Sequence, residues 1–242
     1  AETAPVAEVP FVAPDTVASN PLLTVANAAG AEDAPIPLEI HALLGDLDGS
    51  ETLSVVVSGV PGGARLSAGI DNGDGSWTLA PADLPGLAFL PADDSSGPVT
   101  LQVAATSTET RSGAVSTRTA DLQIDVAAVA DAPALAVANA SGTEDHAVPL
   151  DIQAALDDLD GSETLSVTVS GVPAGGHLTA GIDNGDGTWT LAPGDLPGLA
   201  YVPGADAAGI FTLGVTATAT EANGSTSLHS ASLAVDIAAV AD

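Results

Sequence analysis

Residues 45–91 read GDLDGSETLSVVVSGVPGGARLSAGIDNGDGSWTLAPADLPGLAFLP, and residues 157–203 read DDLDGSETLSVTVSGVPAGGHLTAGIDNGDGTWTLAPGDLPGLAYVP. The two stretches align without a gap, and 37 of 47 positions are identical. An internal repeat of this length sets the domain count before any other reading. The offset of 112 also pairs LTVANAAGAED from Leu23 with LAVANASGTED from Leu135. One residue is lost further on, so LQIDVAAVAD (122–131) matches LAVDIAAVAD (233–242) at an offset of 111. The chain therefore reads as a Pro/Ala-rich linker, 1–19, followed by two tandem modules, 20–131 and 132–242. It stops at the repeat boundary, so a segment of a longer array is expected.

Within a module the hydrophobic period is 2. Leu53, Val55 and Val57 alternate with Ser54, Val56 and Ser58, and Leu122, Ile124 and Val126 alternate with Asp121, Gln123 and Asp125. The runs are short and bounded by Gly, Pro, Asn or Asp. The expected strands of the first module are A 22–27, B 36–41, C 52–59, D 64–69, E 76–80, E′ 86–90, F 98–107 and G 119–128, and the second module repeats them. NGDGSW (72–77) and NGDGTW (184–189) are hairpin turns, because Asn and Gly tolerate a positive φ. Seven to eight strands per module predict an all-β protein of two tandem immunoglobulin-like, cadherin-like Greek-key β-sandwiches joined end to end. Trp77 and Trp189, and likewise Phe89 and Tyr201, fall at matching repeat positions and are expected to anchor the cores.

Composition narrows the function. The 242 residues carry 3 Lys+Arg and 32 Asp+Glu, a formal charge of −29, with no Cys. Such a chain repels nucleic acid and anionic lipid. No apolar run is long enough to span a membrane, and without Cys there is no disulfide framework or thiolate metal site. An enzyme is not expected. Aligning the repeats sets His41 against Gln153, His146 against Ala34 and His177 against Arg65, while His229 has no histidine partner. The repeats thus share no imidazole for a triad or a metallohydrolase site.

The carboxylates gather in loops. Asp46-Leu47-Asp48-Gly49-Ser50-Glu51 and Asp158-Leu159-Asp160-Gly161-Ser162-Glu163 have the order of a calcium loop, with alternate carboxylates, a Gly for the bend and a closing Glu. The strand F ends supply Glu109 and Glu221, the A–B loop supplies Glu32-Asp33, and the inter-module segment supplies Asp131. Immunoglobulin-like connectivity predicts a junction cluster of Glu32, Asp33, Asp131, Asp158, Asp160, Glu163 and Glu221. Asp46, Asp48, Glu51 and Glu109 form a weaker set at the first module's N-terminal pole, where Ser19 replaces the aspartate. All three arginines (Arg65, Arg111 and Arg118) lie in the first module. Ca²⁺, a hard cation with six to eight oxygen ligands, is the expected counter-charge. Acidic loops that are merely solvated, or adapted to high salt, fit the same composition.

The repeated DLDGSETLSV…GVP…NGDG(S/T)WTLAP…DLPGLA, the A-T-(S/A)-T-E strand end and the V-A-D-A-P linker resemble the cadherin-like, Ig-fold repeats of bacterial RTX adhesins. The likeness covers 20–242. It implies a type I secreted, calcium-rigidified repeat segment that extends or presents an adhesive region at the bacterial surface in cell adhesion and biofilm formation. Its partners would be the adjacent repeats of the same chain and a host or biofilm surface. The chain also resembles rhizobial autoaggregation proteins, two-module secreted lectins, which implies the alternative of calcium-dependent binding to acidic exopolysaccharide.

Overall fold

The computed structural model describes residues 16–158 and 161–241. The linker expected at 1–19 therefore lies outside the described residues up to Asp15. The described residues contain no α-helix, only strands and two one-turn 3-10 helices at Pro81–Asp83 and Pro193–Asp195. Contacts divide the chain into two compact units, Ala1–Ala127 and Ala128–Asp242. Residues 128–131 thus go with the second unit, although the repeat phase counts them with the first module.

In the first unit the strands are β1 (Leu22–Ala26), β2 (Ala28–Ala31), β3 (Ile36–Pro37), β4 (Glu39–Leu43), β5 (Glu51–Ser58), β6 (Arg65–Leu66), β7 (Ile70–Asp71), β8 (Ser76–Leu79), β9 (Ala88–Leu90), β10 (Gly97–Glu109) and β11 (Val115–Ala127). The larger sheet has the order β2-β11-β10-β5-β8-β7. Facing it are the pair β1-β4 and the ladder β3-β9-β6. The chain runs from β1 to β2 of the larger sheet, back for β3 and β4, across for β5, back for β6, across for β7 and β8, back for β9, and across again for β10 and β11. That is the Greek-key route of an immunoglobulin-like sandwich. β2 runs parallel to β11 and every other pair is antiparallel.

The second unit repeats this order with β12 (Ala134–Ala138), β13 (Ala140–Thr143), β14 (Val148–Pro149), β15 (Asp151–Ala155), β16 (Glu163–Ser170), β17 (His177–Leu178), β18 (Ile182–Asp183), β19 (Thr188–Leu191), β20 (Ala200–Val202), β21 (Gly209–Glu221) and β22 (Thr226–Ala238).

Alternation explains the core. Leu101, Val103 and Ala105 of β10 meet Val55 and Val57 of β5, and Leu122, Ile124 and Val126 of β11 complete that face. Leu23, Ile36, Leu38 and Ile40 come from the opposite layer. Each such side chain contributes about 1.5–3 kcal/mol by leaving water. Phe89 and Tyr201 are buried in their cores, and Trp189 is buried too. Trp77 packs half-buried against the first core. Tyr201 meets Phe211 edge-on, with ring centroids 5.0 Å apart.

Two strands sit elsewhere than the sequence lettering implies. The run lettered E (76–80) is β8 and pairs with β5 in the larger sheet. The run lettered E′ (86–90) supplies β9 of the opposite layer. β7 and β8 form the expected hairpin around Asn72-Gly73, and β18 and β19 form it around Asn184-Gly185. Gly185 holds φ at 81°, with open space where a Cβ would stand. Gly185→Ala is therefore expected to cost only backbone strain, about 1–2 kcal/mol, read as a lower urea midpoint with an unchanged slope.

Candidate functional site

The larger sheet delivers two glutamates to one end of each sandwich. In the first unit Glu51 opens β5 and Glu109 closes β10, and the two are direct cross-strand partners. In the second unit Glu163 opens β16 and Glu221 closes β21 as partners in the same way. All four are buried. Like charges directly opposite on a ladder destabilise it, and burial raises the cost of each charge. Such pairs call for a counter-charge.

Their hydrogen bonds satisfy part of each carboxylate. Ser162 Oγ donates to Glu221 Oε1 at 3.0 Å, and the Ala222 amide donates to Glu221 Oε2 at 3.3 Å. The Asp131 amide donates to Glu163 Oε1 at 2.9 Å. In the first unit Ser50 Oγ donates to Glu109 Oε2 at 2.8 Å, the Arg111 amide donates to Glu109 Oε1 at 3.2 Å, and the Ser19 amide donates to Glu51. Glu51 Oε2 and Glu163 Oε2 are buried with no hydrogen-bond partner.

Burial pushes the Glu163 carboxyl above its ordinary value, and the charges of Glu221, Asp158 and Asp131 push it further, against the Asp131 amide bond. Asp131, Asp158, Glu163 and Glu221 therefore share one electrostatic environment. Asp158 is buried beside them on the β15–β16 loop. Asp160, expected as a ligand, lies outside the described residues.

The matching loop of the first unit is more open. The Asp48 amide donates to Asp46 Oδ1 at 3.0 Å, and the Ser50 amide donates to Asp48 Oδ1 at 2.7 Å. Asp48 is exposed, and its carboxyl is held below the usual range by the Ser50 side chain first and the Ser50 amide second. The Arg111 charge acts on it in the same direction. The shorter turn of the second unit, Ala222-Asn223-Gly224, has no counterpart of Arg111, so the first unit carries a cation of its own where the second has none.

The remaining acidic residues fall at the opposite pole or in turns. Glu32 follows β2, at the opposite pole of the first unit from Glu51 and Glu109. Its amide donates to Ala127 O at 3.1 Å, its side chain is buried, and Asp33 beside it is exposed. In the hairpins Asp71 Oδ1 accepts from the Gly73 amide at 2.8 Å, and Asp74 Oδ1 accepts from the Ser76 amide and hydroxyl at 3.0 and 2.6 Å. Asp183 and Asp186 repeat these bonds. Asp83 and Asp195 accept from the Ala80 and Ala192 amides, each at 2.8 Å. These carboxylates build turns.

Sequence reading misses the serines that orient the glutamates. Ser50 and Ser162 stand one residue before Glu51 and Glu163, and their presence in both copies of DLDGSE is the available signal. The donor set at each pole is oxygen throughout, in carboxylates and hydroxyls. With an orphaned buried Glu oxygen in each unit, that chemistry fits Ca²⁺.

No protein-family model and no curated protein matches the sequence. Among solved structures the chain is similar to mouse cadherin-23 repeats EC22–24, with 17% identity over 91% of this chain and 65% of that one, at a TM-score of 0.44. It is similar to Drosophila N-cadherin EC1–4, with 15% identity over 91% of this chain and 50% of that one, at 0.44. Human mucin-like protocadherin EC1–2 gives 13% identity over 91% and 98%, at 0.43. This chain spans less than two-thirds of the first of these. The sandwich assignment rests on the chain's own strand order and register. No helix among the described residues is long and apolar enough to cross a membrane.

Proposed function

We propose that the chain is a pair of calcium-binding adhesion repeats from an extracellular protein, a spacer stiffened by the metal. One observation carries this reading: buried glutamates directly opposite each other, with an unpartnered oxygen at Glu163 and no Lys or Arg anywhere in the second unit. Asp131, Asp158, Glu163 and Glu221 would hold the ion. Asp160, Glu32 and Asp33 are proposed as further ligands on the sequence pattern alone. At the first unit's pole Asp46, Asp48, Glu51 and Glu109 would hold calcium more weakly, since Ser19 stands where the second unit has Asp131. Calcium supplies positive charge there and joins the Asp131 carboxylate to those of Asp158, Glu163 and Glu221.

Bacterial surface location, type I secretion, and a role in adhesion and biofilm are proposed on the sequence resemblance. On the same footing, acidic polysaccharide is the ligand class of the lectin reading, in which calcium would bridge two polyanions. A glycan array run with calcium and with EDTA separates it from the spacer. The direct test is calorimetric calcium titration of wild type against Glu163→Gln and Asp160→Ala. Weaker binding or lower stoichiometry is expected in both variants, and unchanged values remove the site. Small-angle scattering with and without EDTA is expected to show a change in maximum dimension, and an unchanged dimension would sink the stiffening role.

A further inference from the structure

Asp131 is a useful ligand only if the backbone that carries it stays in place. Residues 128–133 read Ala-Val-Ala-Asp-Ala-Pro and offer few side-chain anchors of their own. Fixing each residue of a free segment costs about 1–2 kcal/mol of backbone entropy. A metal that had to order this stretch would lose that much of its affinity.

The structure shows other side chains fastening it. Asn223 Nδ2 donates to Ala128 O at 2.8 Å. The Ala130 amide donates to Ser225 Oγ at 3.1 Å. His229 Nδ1 donates to Pro133 O at 3.1 Å. Asn223 and Ser225 sit on the tight turn between β21 and β22, which holds its own shape. There the Ser225 amide donates to Asn223 Oδ1 at 2.8 Å, and the Glu221 amide donates to Ser225 O at 2.9 Å.

The first unit has the same device in different residues. Ser112 aligns with Asn223, and its Oγ donates to Thr16 O, the counterpart of Ala128 O, at 2.7 Å. Ser107 Oγ donates to Ser19 O, and Ser116 Oγ donates to Asn20 Oδ1 at 3.2 Å. The fastening thus recurs in both units although its side chains differ. What changes is the residue it positions, Ser19 in one and Asp131 in the other.

We propose that Asn223, Ser225 and His229 are positioning residues: they hold residues 128–133 against the second sandwich without metal, so that Asp131 is already placed for calcium. This rests on the calcium reading above. Two consequences follow. The segment stays ordered when calcium is removed, and loosening it weakens calcium binding without removing a ligand.

The test uses the full chain and the double variant Asn223→Ala/Ser225→Ala. In EDTA, wild type is expected to protect the Ala130 and Asp131 amides from hydrogen exchange, and the variant to lose that protection at an unchanged melting temperature. In calorimetry the variant is expected to bind calcium about tenfold more weakly at the same stoichiometry, the equivalent of about 1.4 kcal/mol. Asn223→Ser, which installs the residue the first unit uses, is expected to bind and exchange like wild type. Wild-type affinity and protection in the double variant would overturn the proposal. So would fast exchange of both amides in wild type without calcium. If wild type takes up no calcium, the calcium reading fails and the exchange arm alone decides whether the segment is fastened.

Discussion

Calcium at about 100 times its dissociation constant is expected to stabilise the second unit by about 2.7 kcal/mol, a rise of about 10–20 °C in melting temperature for a domain of this size. The physical basis is the terminal rung of the larger sheet. Glu163 and Glu221 face each other at burial levels that do not suit charge, and Glu163 carries an oxygen with no hydrogen-bond partner. Folding without metal forces these groups together. A divalent cation bound there exists only in the folded state, so its binding free energy adds to stability by mass action. Scanning calorimetry in calcium and in EDTA measures the increment. Glu163→Gln and Glu221→Gln are expected to lose most of it. Sodium chloride at matched ionic strength screens exposed repulsion and is expected to give only a small part of the effect. A response to sodium equal to that of calcium would place the cause in screening and not in a site. The first unit, with Ser19 and the Arg111 charge, is expected to gain less.

Much of the sandwich is legible in the sequence, and the exceptions have causes. Period-2 alternation places β5, β10 and β11 because a half-buried strand must write its faces into its sequence. β2 leaves no such mark. Its residues are Ala-Ala-Gly-Ala, and a Cβ at Gly30 would come within 2.6 Å of Ile36 Cγ1. Close approach demands small residues there, and small residues carry no alternation. Gly142 against Val148 repeats the case at 2.5 Å.

The sequence marks the glutamates as candidates but assigns them to loops, because the expected strands end at Ser107 and begin at Thr52. The ladders run further, to Glu109 and from Glu51. That extension turns two loop carboxylates into a cross-strand pair, which no reading of spacing along one strand reveals. Register between distant strands is a tertiary property, and so are the bonds from Asn223 and Ser225 to residues 128–133.

The pH response of the calcium-free protein is expected to run against ordinary acid denaturation in one window. Burial, then the neighbouring charges, raise Glu163 above the unfolded glutamate value of 4.5. An acid with a raised folded value binds its proton more tightly when folded. Its stabilising contribution is complete below about 4.5 and is lost as pH rises through the raised value. Asp48, Asp74 and Asp186 have lowered values and act in the opposite sense, lending stability that is lost as pH falls. The difference between wild type and Glu163→Gln cancels them and isolates the buried group. In EDTA the variant is expected to melt above wild type at neutral pH, with the gap closing as pH falls toward 4.5. In calcium the order is expected to reverse, because the amide supplies no charge to the ion while the wild-type carboxylate does. A variant that is less stable than wild type in both conditions would mean that Glu163 serves the sandwich itself. An inversion between EDTA and calcium would mean that the carboxylate is kept, at a cost to the empty fold, for the ion it holds.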